Sequence, residues 1–90
     1  MTETSREVQI TNRRGLHARA SAKFVTLASG LPSQITVAKD GTEVAGTSIM
    51  GLMMLGAAMG DSIIIAAAGE DHENALEQLV ALVESKFGED

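Results

Sequence analysis

Apolar and polar residues alternate over Glu7-Val8-Gln9-Ile10-Thr11-Asn12, the period of a strand with one buried face, while residues 1–5 are polar and expected to be flexible. Asn12 to Gly15 reads as a loop, with Gly15 supplying the backbone freedom of a sharp strand-to-helix turn. From Ala18 the spacing becomes helical. Ala20, Phe24, Leu27, Ala28 and Leu31 share a face, Gly30 is placed to end the helix as a left-handed cap, and Pro32 forbids continuation. Alternation returns over Gln34–Lys39 around Ile35 and Val37. Asp40-Gly41 is a two-residue hairpin signal, and Thr42–Ala45 runs back. Gly46-Thr47-Ser48 turns again, with Ser48 as the expected N-cap of a short helix through Leu55 that faces Leu52 and Leu55 inward. A small-residue connection, Gly56 to Gly60, leads to Ser62–Ala68, an apolar run with little alternation that suits a central strand covered on one side. The last helix starts at Gly69-Glu70-Asp71 with Asp71 as candidate cap. It carries Ala75, Leu76, Leu79, Val80, Leu82, Val83 and Phe87 as one stripe, and is closed by Gly88.

The resulting order is βαββαβα: strands joined by a hairpin and by helical crossovers, with three helices available to cover one face, an α+β open sandwich. Ninety residues make one domain, 1–90, with no internal repeat or linker. The absence of cysteine excludes a disulfide framework and thiolate metal sites. A formal charge of −5 argues against nucleic acid as a partner, and two phenylalanines with no tyrosine or tryptophan leave almost no stacking platform. The N-terminus has no apolar signal core and no run approaches membrane-spanning length, so the expectation is a cytoplasmic monomer without a membrane partner.

The candidate chemistry lies at the first strand-to-helix junction, where His17 stands at the mouth of a helix and Arg19 follows two residues on. Helix N-termini present unpartnered N–H groups and partial positive charge, so they attract anions. A free imidazole titrates near pH ~6.5 and offers a nucleophilic nitrogen at neutral pH. Phosphoryl transfer to it would give a phosphohistidine over the N–H groups of Ala18 and Arg19, with the Arg19 guanidinium able to bond phosphate oxygens. The plain alternative for a lone histidine here is a cap or a solvated side chain. No acid or cysteine beside it completes a metal or triad signature, so neither metal nor cofactor is implied. Chemistry alone defines an anion or phosphoryl site.

Gly15-Leu16-His17-Ala18-Arg19-Ala20-Ser21-Ala22-Lys23-Phe24, followed by Thr47-Ser48-Ile49-Met50-Gly51-Leu52-Met53-Met54-Leu55, resembles the HPr family of phosphocarrier proteins. The Ala-Ser-Ala-Lys-Phe continuation is more similar to the nitrogen-related NPr branch and to proteobacterial HPr than to the Gram-positive sugar-transport proteins. The resemblance implies an open-faced β-sandwich, a four-stranded antiparallel sheet covered on one face by three helices. It implies that His17 accepts phosphate at Nδ1 from phosphorylated Enzyme I, itself charged by phosphoenolpyruvate, and donates it to an enzyme IIA-type acceptor. Arg19 would contact the phosphate, and the protein would be a carrier rather than an independent catalyst. The family often has proline where Ala20 stands, which leaves one more free donor and a less rigid first turn here. Fewer lysines on this helix imply weaker steering toward an acidic Enzyme I.

Ser48 has two readings: an N-cap, and the serine that HPr kinase/phosphorylase modifies in some family members. Met50, Met53 and Met54 cannot all be buried by a two-turn helix, so an exposed patch is expected, with Ala18, Ala20, Ile49, Met50 and Met53 as docking residues. His72, among acids, reads as a solvated surface residue. Two other functions compete with the carrier: a regulatory binding module whose partners read the phosphorylation state of His17 and Ser48, and a small-ligand domain, for which the sequence shows little sign of a pocket.

Overall fold

The computed structural model describes residues 2–89. Its elements are β1 (Glu3–Gln9), α1 (Ala18–Ser29), β2 (Gln34–Lys39), β3 (Thr42–Ala45), α2 (Ile49–Met54), β4 (Ser62–Ala68) and α3 (His72–Glu84), followed by a 3-10 turn, Lys86–Gly88. The order is the βαββαβα read from the periodicities. The sheet runs β1-β4-β2-β3 with every neighbouring pair antiparallel, so β4 is central and β1 and β3 are edges. The helices cover one face.

The apolar run of β4 resolves into an alternation. Ile63, Ile65 and Ala67 are buried beneath the helices, whereas Ile64 turns to the open face and is 46% exposed. Val8, Ile35 and Val37 fill the same layer from β1 and β2. Against it α1 places Ala20, Phe24 and Ala28, and α3 places Ala75, Leu76, Leu79, Val80 and Val83. Phe24 and Phe87 are fully buried, and truncating such a ring to alanine typically costs ~3–5 kcal/mol. The Asp40-Gly41 hairpin forms as expected, both residues having positive φ.

The structure differs from the sequence reading at the ends of elements. β1 begins at Glu3 and ends at Gln9, so residues 3–5 are not a flexible lead: Glu3, Thr4 and Ser5 pair with Ala68, Ala67 and Ala66 of β4. An edge strand is held by its backbone on one side while its polar side chains stay in water, so polarity did not mark it as strand. Met1 lies outside the described residues. Gly30 ends α1 with φ −89°, in the right-handed region, and its N–H bonds Leu27 O. Asp71 precedes α3 in the left-handed region and does not cap it; its carboxylate accepts from Asn74 Nδ2 at 3.0 Å. α3 stops at Glu84, and Phe87 belongs to the 3-10 turn beyond it. His72 is only partly exposed, and its Nδ1 is buried without a hydrogen-bond partner among the described residues.

Candidate functional site

Gly15 positions His17. Its φ is +62°, and a Cβ there would stand 2.3 Å from Ala57 O, so only glycine allows the loop to lie this close to the α2–β4 connection. Leu16 N donates to Ala57 O at 3.0 Å, and Ser21 Oγ donates to Leu16 O at 3.1 Å, tying the loop to the connection on one side and to α1 on the other. His17 then occupies the N-cap position of α1 with extended backbone and makes no side-chain cap. The first helical bond is Ser21 N to His17 O, so the N–H groups of Ala18, Arg19 and Ala20 have no intrahelical acceptor. This is the open helix mouth expected from the sequence.

The imidazole is held through one of its two nitrogens. Its Nε2 lies 2.7 Å from Glu89 Oε2, and both side chains are largely shielded. The other carboxylate oxygen accepts from Asn12 Nδ2 at 3.1 Å, and the same Nδ2 donates to Gly15 O at 2.9 Å. Both partners are acceptors, which sets the orientation of the Asn12 amide and leaves Oδ1 buried without a partner among the described residues. Burial pushes the Glu89 carboxyl up, but hydrogen bonds from His17 and Asn12 and the charges of His17 and Lys23 outweigh it and hold it below the usual carboxylate range. Among the described residues Nδ1 of His17 makes no hydrogen bond.

Arg19 is exposed and, with Arg13, Arg14 and Glu89, lines a concavity of about 190 Å³ beside this contact. Ala18 is exposed, but Ala20, expected on the docking surface, is fully buried: the phase that puts Phe24 and Ala28 into the core puts Ala20 there too. On α2, Ser48 Oγ accepts from Gly51 N at 2.9 Å, the N-cap read from the sequence. Leu52 and Leu55 face inward. Met50 and Met54 are 71% and 79% exposed, Ile49 and Met53 about half as much, and Met59, on the connection that meets Leu16, is exposed too. All three methionines of α2 therefore face solvent. An open groove of about 810 Å³ between α1 and α3, lined by Ala22, Leu27, Leu31 and Leu82, borders the site only at Arg19 and Lys23; the sequence showed little sign of it.

Sequence reasoning missed Glu89 and Asn12. Lys23 Nζ donates to Phe87 O at 2.6 Å and fastens the segment that carries Glu89.

A one-sided α+β sandwich with a histidine at an open helix mouth, an arginine beside it and an apolar patch alongside defines a class of small phosphate-handling domain. The comparisons give the family. The model described as "PTS HPr component phosphorylation site" matches residues 4–85, and the chain belongs to the HPr family. The phosphocarrier protein HPr of Cupriavidus necator is 43% identical over 84 residues, covering 93% of this chain and 94% of that protein. The phosphocarrier protein NPr of Shewanella violacea is 40% identical over 89 residues, covering 99% and 98%. The crystal structure of HPr-C-His from Thermoanaerobacter tengcongensis superposes with a TM-score of 0.89 at 48% identity, covering 100% of this chain and 99% of that one. The fold is that of HPr, the relatives support the proteobacterial HPr/NPr branch, and membership assigns a phosphocarrier role in a phosphotransferase system. Among the described residues no helix is long and apolar enough to cross a membrane.

Proposed function

We propose that His17 is the phosphoryl acceptor, taking the group at Nδ1 from phosphorylated Enzyme I and passing it to a histidine of an enzyme IIA-type protein. The observation that carries this reading is the division of the imidazole: Nε2 is held by Glu89 while Nδ1, on the N-cap residue of a helix whose first N–H groups lack intrahelical acceptors, makes no hydrogen bond among the described residues. A helix end is worth ~0.3–1 kcal/mol to a nearby anion, which holds a phosphoryl group without trapping it. Arg19 contacts phosphate oxygens from the adjoining concavity. Ala18, Ile49, Met50 and Met53, joined by Met54, form a docking surface on which adaptable thioether side chains meet more than one partner.

Incubation with Enzyme I and phosphoenolpyruvate should label the protein with an acid-labile, base-stable phosphate, and His17→Ala should abolish the label. Undiminished labelling of that variant would remove His17 from the reaction. The exposed α2 patch also favours a regulatory role, in which partners hold this surface and read its phosphorylation. Retained physiological activity in His17→Ala with loss in Met50→Glu would select that reading. Phosphorylation of Ser48 would act there by adding charge beside the patch.

A further inference from the structure

The segment after α3 has an unusual backbone. Lys86, Phe87 and Gly88 all have positive φ (60°, 55° and 74°), although two of them are not glycine. A non-glycine residue in that region is strained and persists only where its surroundings impose it. Here Phe87 is buried in the core, and Lys23 Nζ grips its carbonyl. The left-handed run delivers Glu89 to His17 Nε2, and buried Asn12 holds the carboxylate through its Nδ2 while its own Oδ1 goes unpartnered among the described residues. An unmade hydrogen bond at a buried amide oxygen is expensive. Two strained residues and one orphaned atom thus converge on a single contact.

We propose that Glu89 is a positioning residue for phosphoryl transfer: it keeps the His17 proton on Nε2, and so presents Nδ1 as the nitrogen that carries the phosphoryl group. The inference rests on the phosphocarrier reading and deepens it. A carboxylate only accepts, so at 2.7 Å it requires a donor on Nε2. In a neutral ring the proton is then on Nε2 and the lone pair on Nδ1. As the group arrives, Nδ1 forms the new nitrogen–phosphorus bond and the bond in the phosphohistidine of Enzyme I breaks, its electron pair staying with the Enzyme I nitrogen. His17 keeps its Nε2 proton, so the ring becomes a cation beside a dianionic phosphoryl group, and the Glu89 carboxylate faces that cation. On donation the bond pair returns to Nδ1 and the leaving group is a neutral imidazole. Without that proton it would be an imidazolate, a far worse one. Glu89 gains and loses nothing. The hydrogen bonds from His17 and Asn12 and the charges of His17 and Lys23 keep the carboxylate ionised, and Arg13, Arg14 and Arg19 line the same concavity.

The test is nitrogen-15 NMR of the His17 ring in the unphosphorylated protein and in Glu89→Gln, Glu89→Asp and Glu89→Ala, alongside phosphorylation by Enzyme I. The unaltered protein should show the Nε2–H tautomer. Glu89→Gln, whose amide can accept from or donate to Nε2, should show a tautomer mixture with transfer slowed about tenfold, equivalent to about 1.4 kcal/mol. Glu89→Ala should lose at least as much, and Glu89→Asp should recover part of it. An Nδ1–H tautomer in the unaltered protein, or unchanged tautomer and rates in Glu89→Gln, overturns the proposal. The ring measurement needs no phosphoryl donor, so failure of His17 to be labelled would count against the carrier reading and be seen separately.

Discussion

The first two helices begin in opposite ways. α2 is capped by its own N-terminal side chain, Ser48 Oγ taking the Gly51 N–H, and turns methionines to solvent. α1 leaves its donors open and sends its N-terminal side chain to an acid 72 residues away. The serine takes one of the N–H groups at the α2 end, and what α2 turns to solvent beside it is apolar surface. An open end with its side chain fastened elsewhere keeps its backbone donors available. The division of labour, phosphate at one helix and docking at the other, follows from where each cap goes.

The largest effect should come from breaking the joint that holds the two regions together. Gly15→Ala puts a methyl group against Ala57 O at a left-handed φ, so the loop before His17 must lift from the α2–β4 connection. The expected loss is about 2–4 kcal/mol, from the backbone conformation and the forced contact. Urea denaturation measures it, and a midpoint within error of the unaltered protein would show that the approach is not required.

Met50→Glu tests the docking side. An exposed substitution of this kind should leave stability within about 0.5 kcal/mol. It should slow phosphorylation by Enzyme I about tenfold, seen as a raised KM with kcat little changed. A fall in kcat alone would place Met50 in the transfer step and blur the division between the helices.

That division was only half legible in the sequence. The α2 cap could be read because every participant lies within four residues and a serine before a helix has a local reason to be there. The core could be read because helical and strand periods report which face is buried; even β4, whose composition hid its alternation, was placed correctly as a central strand. Glu89 and Asn12 could not. They are polar residues 77 positions apart, and no period or local motif brings them together. The turn that does so uses left-handed Lys86 and Phe87, residues whose identity predicts the opposite backbone. Asp71 was misread for the same reason: its composition says cap, and its backbone makes it a corner.

A smaller effect separates the two caps by chemistry. Ser48→Ala removes one hydroxyl acceptor and should cost about 1 kcal/mol in urea denaturation, while phosphorylation of His17 by Enzyme I stays intact. If transfer slowed in step with stability, α2's own order would be part of the phosphoryl site.

The Glu89–His17 contact should depend on pH, as the Ser48 cap does not, since serine does not titrate. Glu89 is held below the ordinary carboxylate range in the folded protein, so unfolding raises its affinity for a proton. Its contribution to stability is therefore fully present above the ordinary carboxylate value and is lost as pH falls through its own lower value. Carbon-13 NMR of the Glu89 carboxyl should show the depressed titration, and Lys23→Met should move it back upward, because Lys23 is one of the charges that lower it. Stability measured against pH should then be flatter in Glu89→Gln than in the unaltered protein through that window, and unchanged in slope in Ser48→Ala. Equal slopes in all three proteins would mean that the two helix ends differ in geometry alone and that the acid beside His17 carries no charge-dependent stability.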